Sequence, residues 1–204
     1  MRRLGLVAAL LAVNVYAAAT TVWAETKVGE PAPEFSVTDT NGQPQSLTAL
    51  RGSYVVLEWF NPECPFVEKH YGTGNMQDLQ RRYTDRGVVW LSVDSSAPGK
   101  QGHLTVEQAN AFMMEQKAAQ TAIVLDPDGA LGRAYGAKTT PHMFIVDPER
   151  TLIYAGAIDD IASADPADVA DATNFVTMVL DPALSGDPVS VGETQSYGCS
   201  VKYQ

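Results

Sequence analysis

The sequence predicts an α/β fold, a central mixed β-sheet flanked by helices, and three observations predict it. Short apolar, β-branched runs alternate with segments of helical spacing, the pattern of parallel strands joined by crossover helices. Two late runs, Met143–Asp147 and Thr151–Gly156, are separated only by Pro148-Glu149-Arg150. That connection is too short for a crossover, so the two runs pair antiparallel and make the sheet mixed. Finally, 204 residues without an internal repeat suit one domain with a substantial core.

In chain order, Val28–Phe35 is a proline-punctuated entry segment, and Phe35–Thr38 is a strand running into a turn at Asn41-Gly42, a hairpin signal. Ser46–Gly52 reads as a short helical turn closed by glycine. The apolar run Val55–Phe60 is a central strand, broken by one charge at Glu58. It leads through Asn61-Pro62-Glu63 into Cys64 and a helix opened by Pro65. Gly72-Thr73-Gly74 interrupts that helix, and Asn75–Tyr83 resumes it. Val88–Asp94 is continuous and apolar, as for a strand buried on both faces. A Ser-, Pro- and Gly-rich loop over 95–103 precedes a helix over 105–116 that starts on a capping threonine. Ala122–Leu125 is a strand, 126–129 a turn, and Ala130–Tyr135 a short helix. The late strand pair is followed by Asp159-Asp160, read as a turn or cap, and by a last helix over 165–180. Residues 181–204 show no clear element. The expected layout is therefore a domain over 28–181 and a tail over 182–204 that carries Cys199.

Residues 1–24 are set apart by composition. Met1-Arg2-Arg3 is basic, Leu4–Ala19 is mostly apolar, and Val22-Trp23-Ala24 ends on a small residue. This is the pattern of a secretory signal peptide cleaved after Ala24, with an uncleaved membrane anchor as the alternative. A periplasmic or secreted protein is expected, with no membrane attachment after cleavage. Removing the segment leaves 12 basic and 24 acidic side chains, a formal charge of −12. Such a surface disfavours nucleic acid and anionic lipid. Both cysteines lie in the exported part, where disulfides persist. One pair is not needed to replace a missing core, which points toward redox chemistry.

Cys64 sits at a strand-to-helix junction, among unpaired N–H groups at the positive end of a helix dipole. That placement favours thiolate over thiol and defines a candidate nucleophile. Glu63 opposes this slightly. Strand alternation puts Glu58 on the face of Val56 and Phe60. If that face is core, burial raises its carboxyl toward neutrality and suits it to proton transfer. Otherwise it is a solvated carboxylate at a strand end. Asn61 either hydrogen-bonds substrate or orders the turn. Cys199 either resolves a Cys64 sulfenic acid or fixes the tail as a staple, since geometry is not readable from spacing. His70, His103 and His142 show no ligand spacing with the cysteines, so no metal and no organic cofactor is expected.

The strand–Asn61-Pro62-Glu63-Cys64-Pro65–helix unit, the block Tyr135-Gly136-Ala137-Lys138-Thr139-Thr140-Pro141 and the ending Gly198-Cys199-Ser200-Val201-Lys202-Tyr203 together resemble the thioredoxin fold. More closely they resemble the peroxiredoxin-like (AhpC/TSA, redoxin) branch, over about residues 28–204. The resemblance implies that Cys64 holds the peroxidatic position and that Thr140–Pro141 is the threonine–cis-proline pair whose backbone faces Cys64 and pairs with substrate. It also implies that Glu58 is the counterpart of the buried acid of thioredoxins. Two departures are plain. Asn61 stands where the first cysteine of a Cys-x-x-Cys pair would be, and Leu57 and Asn61 replace the proline and threonine of Pro-x-x-x-Thr-x-x-Cys. The expected activity is thus thiol-dependent, on a peroxide or a protein thiol/disulfide partner, with a non-catalytic scaffold or copper carrier as the rival. Oligomeric state is left open.

Overall fold

A computed structural model describes residues 26–204; the expected signal peptide lies outside the described residues. A hairpin of β1 (Ser36–Thr38) and β2 (Pro44–Ser46) precedes the central strand β3 (Val55–Trp59). Helices α1 (Pro65–Gly72) and α2 (Asn75–Thr84) follow, separated at Gly74, whose φ of 80° explains the break. Next come β4 (Val89–Asp94), α3 (Val106–Glu115), β5 (Ala122–Leu125) and α4 (Ala130–Tyr135). Then β6 (Thr139–Thr140), β7 (His142–Val146) and β8 (Leu152–Gly156) lead to α5 (Phe175–Ser185) and β9 (Cys199–Ser200).

The main sheet has the order β5-β4-β3-β7-β8. β3, β4 and β5 run parallel, while β7 is antiparallel to β3 and to β8. The sheet is mixed, and all five residues of β3 are buried because helices cover both faces. One core contains Val56, Phe60, Cys64, Trp90, Met143, Ile145 and Val179. The opposite core contains Leu57, Trp59, Leu91, Val93, Phe144 and Val146.

The short turn expected after β2 is present: Leu50 N–H bonds Ser46 O at 3.1 Å, and Gly52 closes it at a φ of 93°. Two expectations are corrected. The last helix does not run from 165 to 180. A 3-10 turn at Pro166–Ala170 is capped by Asp165, and α5 then starts afresh where the Asn174 side chain accepts from Thr177 N–H at 3.0 Å. α5 continues past position 181, through Pro182, and ends at Gly186 in the left-handed conformation. The tail also has elements of its own. Glu193 bridges to Ala155, and β9 pairs antiparallel with β6, Thr140 opposite Cys199 and Thr139 opposite Ser200. These contacts lie far apart in sequence, so no local pattern announces them. Among the described residues no helix is long and apolar enough to cross a membrane.

Candidate active site

Central strand β3 delivers the chain to the site. Phe60 N–H still bonds Val93 O, then Asn61-Pro62-Glu63 turns and Cys64 becomes the N-cap of α1, its carbonyl accepting from Val67 and Glu68. The Cys64 side chain is only 1% exposed. Its thiol donates to the Thr140 carbonyl at 3.0 Å, across a Thr140–Pro141 peptide bond that is cis. On the other edge of Thr140 lies Cys199, half-buried and near enough to Cys64 that each thiol shifts the ionisation of the other. The structure holds both cysteines as free thiols. Gly198 makes this approach possible. Its φ is +125°, and a Cβ there would overlap the Thr140 carbonyl oxygen.

Electrostatics separates the two sulfurs. Burial pushes the Cys64 thiol up, but hydrogen bonds from the Cys199 thiol, from Thr140 and from the N–H groups of Cys199 and Val67 outweigh it, and the net direction is down. Thr140 Oγ1 is buried and otherwise unpartnered, so its proton is free to turn toward the sulfur. Cys199 moves the other way. Burial, then its hydrogen bond to Cys64 and the Cys64 charge, push it up to about 11, against the pull of Lys202. The two sulfurs therefore titrate as a unit, with the first negative charge resting on Cys64.

Glu58 is fully buried on the Cys64 side of the sheet. Tyr71 donates to its Oε1 at 2.8 Å, while Trp90 (2.8 Å), Ser92 (2.9 Å) and Gln80 (3.1 Å) donate to Oε2. Burial raises its pKa and these donors pull it back only in part. None of the four partners is a cysteine; Tyr71, on α1, ties the acid to the helix that Cys64 caps. Asn61 is equally buried. Its Oδ1 accepts from Glu63 N–H at 2.8 Å and its Nδ2 donates to Gln101 O at 3.1 Å. Gly102 closes over it, leaving no room for a Cβ. The Asn61 side chain is thus spent on the turn and on the 95–103 loop.

The histidines are dispersed. His142 lies on β7 with Phe144, on the face opposite Cys64, its Nδ1 accepting from Lys138 N–H at 3.2 Å. His70 is buried among Asn75, Tyr197 and Asp159, and His103 bonds Ser96 O at 2.9 Å. No group of three or more His, Cys, Asp or Glu side chains placed for a metal occurs among the described residues.

Sequence reasoning missed Gly198, Gly102, Tyr197 and Lys69. The pair Asp159-Asp160 was visible only as a turn, which Asp159 does form by accepting from Ile161 N–H at 3.1 Å. The Gly-Cys ending was a usable sign for Gly198; nothing local marks the others.

A cysteine at the start of the helix after the central strand, facing a cis-proline loop on a mixed sheet flanked by helices, defines a protein of thioredoxin-like fold. The AhpC/TSA family model matches residues 28–155, and the chain belongs to that family. It is 30% identical over 142 residues to thiol-disulfide oxidoreductase ResA of Geobacillus thermodenitrificans, covering 70% of this chain and 76% of that one. Identity to the Bacillus subtilis ResA is 26% over 125 residues, 61% of this chain and 64% of the relative. Among solved structures, an uncharacterized conserved protein from Geobacillus kaustophilus superposes with TM-score 0.73 at 23% identity, covering 87% of this chain and 93% of that chain. The thioredoxin domain of a Bacteroides vulgatus thiol-disulfide oxidoreductase gives 0.51 at 21% identity, with coverage of 72% and 97%. These two likenesses speak to the fold.

Proposed function

We propose that the protein is an exported thiol-disulfide oxidoreductase whose redox pair is Cys64 and Cys199. The observation that carries this reading is the convergence of both cysteines on Thr140 of the cis-proline loop, Cys64 Sγ 3.0 Å from its carbonyl and Cys199 opposite it in the β6–β9 pairing. The Cys64 thiolate attacks one sulfur of a partner disulfide, forming a mixed disulfide and releasing the other partner sulfur as thiolate. Cys199, deprotonated, then attacks the Cys64 sulfur and expels the second partner thiolate. The partner has gained two electrons and the protein holds a Cys64–Cys199 disulfide, which an external dithiol returns to the reduced state. In the closed reduced form the tail covers Cys64, so the β6–β9 pairing opens for the partner and closes for resolution. Thr140 and Pro141 are the backbone on which either Cys199 or the partner strand lies. Asn61 is proposed as a positioning residue for the turn, and Glu58 as a buried acid that steadies α1 through Tyr71. The composition of residues 1–24 supports export.

Disulfide exchange is favoured over peroxide turnover on two grounds. Leu57 and Asn61 stand where peroxidases of the resembled branch place proline and threonine. Arg81, Arg82, Arg86 and Arg150 pair with carboxylates away from Cys64, and Arg133 lies over the Tyr203 ring and donates to Asp128 O, so none of these cations is set at the thiol to polarise a peroxide.

The reduced protein is treated with one equivalent of oxidised glutathione or of hydrogen peroxide and followed by mass spectrometry, alongside Cys64→Ser and Cys199→Ser. Expected are a Cys64–Cys199 disulfide formed faster from glutathione disulfide, a lasting Cys64–glutathione adduct in Cys199→Ser, and loss of exchange in Cys64→Ser. Absence of the Cys64–Cys199 disulfide with both oxidants, or undiminished exchange by Cys64→Ser, overturns the assignment. Faster formation with peroxide transfers the reading to a thiol peroxidase.

A further inference from the structure

A buried hydrogen-bonded chain lies beside the redox pair and is not used in the exchange steps above. The Asn75 amide meets His70 Nδ1 at 2.9 Å, which leaves the His70 proton on Nε2, 3.4 Å from the Tyr197 hydroxyl. That hydroxyl donates to Asp159 Oδ1 in a short bond. Asp159 Oδ2 lies 3.7 Å from Lys69 Nζ, which also donates to Ile161 O at 3.2 Å. Burial is the first cause holding His70 down at about 4, so it is neutral and serves as a donor.

Stability alone gives a poor account of this chain. The Lys69 and Asp159 side chains are 0% and 2% exposed, and a buried ion pair recovers little more than its own desolvation. Its position is more informative. Lys69 and His70 belong to α1, whose N-cap is Cys64. Tyr197 is two residues before Cys199, and its ring packs edge-on against Phe66, two residues after Cys64, at 5.8 Å. One aromatic residue thus fastens the strand of one cysteine to the helix of the other. The need for a fastener is clear, because β9 is two residues long and such a pairing is marginal by itself. Beyond Cys199 the tail is held by Val201 N–H on Lys138 O (3.0 Å) and by Lys202 O accepting from Ala97 N–H (2.9 Å). Before Cys199, residues 192–194 are fastened to Ala155 and Ala157, and between them and Cys199 the Tyr197–Asp159 bond supplies the hold.

We infer that the Tyr197–Asp159 contact, braced by Lys69 and His70, is a latch that sets Cys199 against Cys64, making Tyr197 and Asp159 positioning residues of the redox pair. The inference rests on the Cys64–Cys199 reading. Its consequence is a high effective concentration of one thiol at the other, which stabilises the disulfide against external thiols. Without the latch, the disulfide must itself bear the cost of docking the tail, and it is reduced more easily.

The test is Tyr197→Phe, which keeps the ring on Phe66 and removes only the hydroxyl, with Tyr54→Phe as control. The Tyr54 hydroxyl makes one comparable bond, to Ala183 O at 2.9 Å, away from the pair. The Cys64–Cys199 couple is equilibrated against glutathione buffers, and Cys64 ionisation is followed by thiolate absorbance. Tyr197→Phe is expected to favour the dithiol about tenfold, a potential ~30 mV less negative. Its Cys64 pKa should rise as the Cys199 donors leave. Tyr54→Phe should match the parent in both. A Tyr197→Phe protein that loses thermal stability yet keeps the parental potential and Cys64 titration overturns the latch. A parent protein that forms no Cys64–Cys199 disulfide overturns the redox reading instead.

Discussion

The two faces of the central sheet are built on different principles. The face turned toward β1, β2 and α4 is mainly apolar, with buried His142 and Asp126 at its edge: Phe144 packs on Trp59 at 5.1 Å and on Tyr135 at 5.5 Å, both near edge-on. Its tryptophan finds one polar partner, Ser95, at 2.9 Å. The face turned toward α1, α2 and α5 is equally buried but carries Glu58, Lys69, His70 and Cys64. On the first face, area removed from water and ring geometry do the stabilising. On the second, each charged group must be matched donor for acceptor, at a cost that an apolar core would avoid. Cys64 sits on this costlier face, where hydrogen bonds set against burial hold its thiol below the ordinary value.

The comparison can be broken on the apolar side by Phe144→Ala. Truncating this side chain should cost about 3–5 kcal/mol, read as a lowered urea midpoint, with the Cys64 ionisation of the folded protein unchanged. A shifted Cys64 pKa would mean that the two faces are coupled. A smaller effect is expected at Gly198, against the Thr140 carbonyl. Gly198→Ala places a methyl group against the Thr140 carbonyl at a φ that L-residues rarely adopt. The tail should undock, and intramolecular closure of the Cys64–Cys199 disulfide should slow by about tenfold or more through lost effective concentration. Timed alkylation and mass spectrometry measure that rate; a parental rate removes the docked tail from the mechanism.

The smallest effect sharpens the polar side. Burial holds the Glu58 carboxyl above its ordinary 4.5, so the native state keeps a proton that the unfolded chain has lost. Native binding of more protons means that stability is full below about 4.5 and falls as pH rises through the elevated native value. Glu58→Gln should flatten that decline in urea midpoints taken across the window. An unchanged slope would assign it to another buried acid such as Asp94, which burial pushes up to about 6.

Much of this was legible in the chain because it is local. Val55–Trp59 announces a buried strand by composition, Gly72-Thr73-Gly74 announces a break, and Cys64-Pro65 announces a helix start, each through residues a few positions apart. Alternation alone placed Glu58 on the face with Val56 and Phe60. The last helix was misread because its cap, Asn174, lies inside a segment whose spacing stays helical. Apart from its Gly-Cys ending, the tail could not be read. Cys199 meets Thr140 across 59 residues and Cys64 across 135, and no propensity encodes a contact at that separation. The sequence by itself determined the layers, the address of Cys64 at a helix N-terminus and the presence of a second thiol. Only the tertiary structure decided that both cysteines converge on Thr140, because their approach depends on a glycine fitting against a cis-proline loop distant in the chain.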